Sequence, residues 1–330
     1  MSRRFSLLVS LGLILAMPAH ALMAGAAPDS PAARVVAPSQ SAEWPGLGQV
    51  ITPGGRFNGV AISRRHVLTA THVAGGHGAR PTLVRFIPFG HEADERQAAR
   101  IATLPGYAMP ANDLAVIELA TPLPRNVPVA RLMRGTLNAG DVIDLVGAGA
   151  SGHGDTGLQH DASPREFRWG RNVADLVGEH VPGVPTAGHF LFYDFDGPQG
   201  NGVLGGPTLG NPLETLVAGG DSGGPIYVRP RGASERLLVG ISVAVISPVS
   251  GERPRFTFGS LGVGTDLTAP AVRAWLTSVT DGALQEASPQ PRGPDSATTM
   301  VAVLGLALVL VALALAGWRR HAQRGGRWPG

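Results

Sequence analysis

Residues 217–225 read Val-Ala-Gly-Gly-Asp-Ser-Gly-Gly-Pro, with one hydroxyl, Ser222, among the glycines. Gly, Asp, Ser and Pro form turns because they tolerate positive φ or bond nearby backbone groups. The chain has 46 glycines, so a glycine-rich turn by itself means little. The string also fits Gly-x-Ser-x-Gly, the strand-to-helix turn that presents a nucleophile in one hydrolase fold. A serine hydroxyl attacks a carbonyl only when a base takes its proton, usually a histidine oriented by a carboxylate. In that fold the acid and then the histidine follow the serine along the chain. After Ser222 the one histidine is His321, beyond a long apolar run and among arginines. Chain order excludes that fold, and the base must come from a histidine upstream.

His72 lies in Val-Leu-Thr-Ala-Thr-His-Val (67–73), at the end of a β-type run. Asp113 lies in Asn-Asp-Leu-Ala-Val-Ile-Glu-Leu-Ala-Thr-Pro (112–122), and Ser222 in Gly-Asp-Ser-Gly-Gly-Pro (220–225). Together, and in this order, the three blocks resemble the trypsin/chymotrypsin-like serine proteases. The resemblance extends to Arg34-Val35-Val36, Glu43-Trp44-Pro45, Gly147-Ala148-Gly149 and Asp266–Val279, so it covers nearly all of 35–281. The Asp-Phe-Asp loop at 194–196 is similar to that of exported bacterial members with C-terminal membrane tails.

The resemblance implies an all-β fold of two six-stranded antiparallel barrels with a C-terminal helix, and polypeptide substrates without a cofactor. It implies Ser222 as nucleophile, His72 as base and then acid, and Asp113 as the group that fixes the histidine tautomer. The N–H groups of Gly220 and Ser222 become the oxyanion hole. It also implies an activating cut between Arg34 and Val35, whose new amino group pairs with Asp221. The chain departs from the family in having no cysteine; Val73 stands where one follows the histidine. Leu216 replaces the acid that trypsins carry six residues before the serine, and Val243-Ala244-Val245 replaces Ser-Trp-Gly. Those substitutions predict cleavage beside small or medium apolar side chains, with Glu214 close by. A catalytically silent, membrane-tethered homologue that binds peptides is the alternative, and an esterase shares the same chemistry.

Around these residues, short β-type runs recur between Gly/Pro turns: 59–63, 66–69, 82–87, 114–119, 142–146, 225–228, 237–245 and 256–258. Such punctuation predicts a sandwich or barrel. One helix is predicted at 269–279, with Thr268 as N-cap and Pro270 in the first turn. Residues 151–212, rich in Gly and Pro, read as long loops.

The ends of the chain read differently from its middle. Arg3 and Arg4, the apolar run Phe5–Met17, and the small-residue exits Ala19-His20-Ala21 and Ala24-Gly25-Ala26 form an export signal, placed at 1–26. Residues 27–34 follow as a short leader, and the protease domain spans 35–281. Residues 282–299, rich in Pro, Ser and Gln, read as a spacer. Met300–Trp318 carries no charge and is long enough to span a bilayer. Arg319, Arg320, Arg324 and Arg327 in the tail 319–330 place that end in the cytoplasm, with the domain outside. All 27 basic residues are Arg, and six of them lie at the termini; between those ends the 24 acids outnumber the Arg. No basic face for nucleic acid is expected. His66, His72 and His77 lack the spacing of a zinc site, and Asp194-Phe195-Asp196-Gly197 with Asn201 lacks the closing glutamate of a calcium loop, so no metal is expected.

Overall fold

The computed structural model describes residues 22–86, 94–160, 166–180, 186–200, 202–230, 233, 235–247 and 256–289. The apolar segments at 5–17 and 300–318, the basic tail, most of the spacer and Asn201 lie outside the described residues. Among the described residues no helix is long and apolar enough to cross a membrane.

The first described element is a short strand, β1 (Leu22–Ala24), all three residues of which are buried. Six strands then close a barrel: β2 (Leu47–Thr52), β3 (Gly55–Ala61), β4 (His66–Thr69), β5 (Leu83–Phe86), β6 (Asp94–Thr103) and β7 (Ala115–Leu119). Their order around the barrel is β2-β3-β4-β7-β6-β5, every pair antiparallel. Closure leaves no free sheet edge. Val50, Val60, Leu68, Val84 and Ile117 fill the interior. One turn of helix, α1 (Thr71–Ala74), follows β4. Strand β6 hides from hydropathy because four of its ten residues are charged and only Ala98 among them is buried.

The second half is built on β8 (Leu132–Met133), β9 (Val142–Gly147), β10 (Ser151–His153), β11 (Gly157–His160), β12 (Arg168–Val173), β13 (Leu176–Gly178) and β14 (Phe190–Asp194). It is completed by β15 (Pro225–Val228), β16 (Leu237–Ile246), β17 (Leu261–Asp266), the helix α2 (Pro270–Val279) and β18 (Glu286–Ala287). The main sheet runs β12-β9-β15-β16-β17-β14-β13, with β8 paired to β16 and β18 to β8.

Three expectations need correction. The second half is a half-barrel, not a closed six-stranded barrel: β12 and β13 end the sheet without pairing to each other. Isolated bridges from Val35 to Arg168 and from Glu214 to Arg171 lie along β12 instead. Residues 151–212 are not loops alone, since β10 to β14 lie there. Within 22–34 and 282–287 the chain forms β1, a short helical turn at Pro31–Arg34, and β18. Thr268 does not cap α2. Its hydroxyl donates to Asp266 Oδ1 at 2.7 Å, and Ala269 takes the N-cap position without a side-chain bond.

Candidate active site

Strand β4 delivers His72. The chain leaves Thr69, extends at Ala70, and turns through α1, so that the imidazole emerges where the barrel wall ends. Thr71 pins this turn by donating its hydroxyl to the Leu114 carbonyl at 2.8 Å. Asp113 comes from the connection entering β7 and is fully buried. Its Oδ1 accepts the backbone N–H of His72 at 3.0 Å, and its Oδ2 lies 2.6 Å from Nδ1 of the same residue. Two bonds to one histidine fix both the ring plane and the tautomer, leaving Nε2 free to accept a proton. Thr265, on β17 of the other half, donates to the Asp113 carbonyl at 3.3 Å.

Ser222 sits between β14 and β15, on the turn sequence that precedes β15. Its Oγ lies 2.9 Å from His72 Nε2. Chain connectivity plays no part in that contact, since the two residues are 150 apart. The turn needs its glycines: Gly220 and Gly223 adopt φ of 91° and 78°, in the left-handed region. A Cβ on Gly223 would also overlap the Asn58 carbonyl and the Thr69 hydroxyl.

Asn58, in the middle of β3, holds this turn from the first barrel. Its N–H donates to the Ser222 carbonyl at 2.9 Å, and its Nδ2 donates to the Gly220 carbonyl at 2.9 Å. Its Oδ1 accepts from Ala148 N–H at 3.2 Å, and its own carbonyl accepts from Thr69 Oγ1 at 2.8 Å. With both carbonyls drawn toward Asn58, the Gly220–Asp221 and Ser222–Gly223 peptide planes are set. Sequence reasoning missed this residue. The available signal was a polar amide in the interior of a strand, where Asn is disfavoured unless its side chain has work to do.

From the second half the turn is held by Asp221, itself fully buried. Its Oδ2 accepts from Ala218 N–H at 2.8 Å and its Oδ1 from Gly149 N–H at 2.7 Å. The Leu22 N–H is a third donor. Burial nevertheless pushes the Asp221 carboxyl up to about 7, against the lowering pull of those amides and of Arg168. In this uncut chain Val35, whose freed amino group is the expected partner after cleavage, bridges Arg168 on β12. Arg34 is locked beside it, ion-paired with Asp29 and donating to the Glu214 carbonyl at 2.9 Å. The structure thus brings Leu22, not Val35, to Asp221, because β1 inserts alongside β10 and carries Leu22 inward.

The residues expected to shape the substrate pocket are largely withdrawn from solvent. Leu216 is fully buried and bridges Met23; Val243 is buried and Val245 half-buried. Glu214 is buried too, its Oε1 accepting from Leu209 N–H at 2.7 Å and Thr208 Oγ1 at 3.1 Å. Burial raises its carboxyl to about 7, and burial does the same for Asp175 beside Asp194 and Asp196. Among the described residues no group of three or more His, Cys, Asp or Glu is placed to hold a metal ion.

A protein-family model described as Trypsin matches residues 36–165. The matched stretch contains His72 and Asp113 and ends before Ser222. It supports a trypsin-like serine protease family for this chain, and with it serine peptidase activity in general. A comparison with curated proteins finds no match.

Replacing Asn58 with Ala should loosen the serine turn without touching the three reactive side chains. The expected result is a fall in kcat/KM on the order of 10²-fold, carried by kcat, as a displacement of about 1 Å costs; unchanged kcat in the folded variant contradicts this role. The buried carboxyls set a pH slope as well. Glu214 rises from 4.5 to about 7 on folding, so between those values the folded state holds more protons and stability falls as pH rises. In Glu214→Gln, urea unfolding should show a shallower loss over that window, by about 1.4 kcal/mol per unit of pKa shift removed. An identical slope would assign the shift elsewhere.

Proposed function

We propose that this chain is a serine endopeptidase that cuts polypeptides outside the cytoplasmic membrane through an acyl-enzyme on Ser222. The observation that carries the reading is the continuous contact from Asp113 through His72 to Ser222, 2.6 Å and then 2.9 Å. In the first half-reaction Ser222 Oγ bonds to the scissile carbonyl carbon while its proton passes to His72 Nε2. The negative carbonyl oxygen is received by the N–H groups of Gly220 and Ser222, donors of the kind whose individual loss costs about 10²–10³ in rate. His72 then gives its proton to the leaving amine as the C–N bond breaks. Water repeats the sequence on the ester and restores the Ser222 hydroxyl. Asp113 stays ionised and steadies the imidazolium.

Two features of the chain bear on where this happens. The segment 1–26, with its apolar run Phe5–Met17, supports export, and Met300–Trp318 with Arg319, Arg320, Arg324 and Arg327 supports a membrane tether with the catalytic unit outside. For specificity, Leu216, Val243 and Val245 offer no charge to an incoming side chain, which favours small or medium apolar residues at the cut.

The direct test is a fluorophosphonate, which traps an activated serine. Wild-type protein should be labelled at Ser222 and should degrade casein, whereas Ser222→Ala loses labelling and about 10⁴-fold or more of its rate. Absence of labelling in folded wild-type protein would overturn the reading. Cleavage of a mixed peptide library should be dominated by cuts after Ala, Val or similar residues. Dominant cuts after Arg would refute the specificity.

A further inference from the structure

Four carboxylates gather in the second half, and the proposed reaction uses none of them. Asp194 ends β14 and Asp196 follows it, Asp175 lies between β12 and β13, and Glu214 precedes the serine turn. Asp194, Asp196 and Glu214 are 5%, 4% and 1% exposed. The Asp175 and Asp194 carboxyls share a side-chain hydrogen bond, which takes one proton. The Thr208 hydroxyl donates to Glu214 Oε1 at 3.1 Å and is also in reach of the Asp196 carboxyl, but it has a single proton to give. Asp196 Oδ1 and Glu214 Oε2 are buried without a hydrogen-bond partner. Like charges this close and this dry cannot all stay ionised unless a cation joins them. Arg34 and Arg171 border Glu214 through its backbone, yet they are ion-paired with Asp29 and Asp144. Among the described residues no ion pair reaches any of the four carboxylates.

The backbone under this cluster is fixed. Asp194 N–H donates to Asp175 Oδ2 at 2.9 Å, and the Asp194 carbonyl accepts from Asn172 Nδ2 at 2.8 Å. Phe195 N–H donates to the Ser260 carbonyl at 2.9 Å, and Gly259 N–H donates to the Phe195 carbonyl at 2.8 Å. From the other side, Leu204 N–H donates to Asp194 Oδ2 at 2.7 Å. A Cβ on Gly202 would lie 2.1 Å from Asp196 Oδ1 and 2.2 Å from Asp194 Oδ2. The two oxygens thus converge on one point, and a side chain at 202 would displace them.

Convergent anionic oxygens, one of them without a donor, suit calcium, which takes carboxylate, carbonyl and water oxygens at about 2.3–2.6 Å. Two carboxylates suffice when carbonyls and water complete the shell. The Asp-Phe-Asp-Gly run lacks the closing glutamate of a calcium loop in sequence, but folding brings Glu214 beside Asp196 through Thr208. We propose that Asp196 Oδ1 and Asp194 Oδ2 bind a calcium ion, with Glu214 as a third negative charge beside it. The ion ties the end of β14 to the segment around Gly202 and Leu204. It also steadies Glu214-Thr215-Leu216, because the Asn172 amide that holds the Asp194 carbonyl also donates to the Thr215 carbonyl at 2.9 Å. This site stands whether or not Ser222 is a nucleophile.

The test uses the full chain, stripped with EDTA and read by thermal unfolding and by calorimetric titration with calcium chloride. Calcium at about 10 mM should raise Tm by at least about 3 °C, the shift set by a Kd of about 10⁻⁴–10⁻³ M. Magnesium, which sheds its water reluctantly, should do much less. In Asp196→Asn the calcium response should vanish, while Tm in EDTA stays at or above that of wild type because one of the facing charges is gone. Gly202→Ala should weaken calcium binding by about 10-fold or more. No Tm shift and no binding heat in wild type overturns the proposal. So does an equal calcium shift in wild type and Asp196→Asn, which puts the ion elsewhere. If acidification in EDTA stabilises the chain and calcium does not, protons alone settle the cluster and the site is refuted.

Discussion

Everything chemical in this molecule depends on holding a short glycine-rich turn, 218–224, rigid from both sides. From the first barrel, Asn58 takes the carbonyls of Gly220 and Ser222. From the second half, the Asp221 side chain folds back onto Ala218 and Gly149. A glycine-rich turn left to itself would sample many conformers, because glycine loses more freedom on ordering than any other residue. The two clamps remove that freedom, and they do so through hydrogen bonds buried away from water, where an unmade bond is expensive. In the proposed reaction this rigidity preorganises the N–H groups of Gly220 and Ser222 beside the serine, and such preorganisation is where electrostatic catalysis draws most of its strength.

The other side of the site is built by exchange between the same two halves. His72 and Asp113 come from the closed barrel, yet Thr265 on β17 steadies the Asp113 carbonyl. Ser222 comes from the half-barrel, yet β3 of the closed barrel holds its carbonyl. Each half therefore orients a part of the machinery belonging to the other. The contact between His72 and Ser222 spans the seam between them and depends on their relative position being fixed. A core shared across that seam, including Trp44, Val146, Phe167 and Tyr227, holds the two together.

Much of this was legible in the sequence, for identifiable reasons. Strands β4, β7, β9, β15 and β16 were recognisable because they are buried and apolar on long stretches. His72, Asp113 and Ser222 were legible because each sits in a block whose turn chemistry is unusual. Strands β6 and β12 were not, since charged and glycine positions interrupt them and their pairing is non-local. The half-barrel was not, because closure is a property of register between distant strands. Asn58 gave only the weak signal of a polar residue in a strand. The amide donors to Asp221 were not legible either. Residues 22–26 read as the end of an export signal and 27–34 as a leader, whereas the packing of β1 beside β10 brings the Leu22 N–H to the buried carboxylate.

The central claim is geometric, so the most direct measurement is a crystal structure of the protein phosphonylated by a fluorophosphonate. The adduct's phosphorus should be bonded to Ser222 Oγ, with one phosphoryl oxygen about 2.7–3.1 Å from both the Gly220 and the Ser222 nitrogen. Asn58 should still bridge the two carbonyls behind them. A phosphoryl oxygen turned away from those two N–H groups, or a serine turn released from Asn58, would contradict the account.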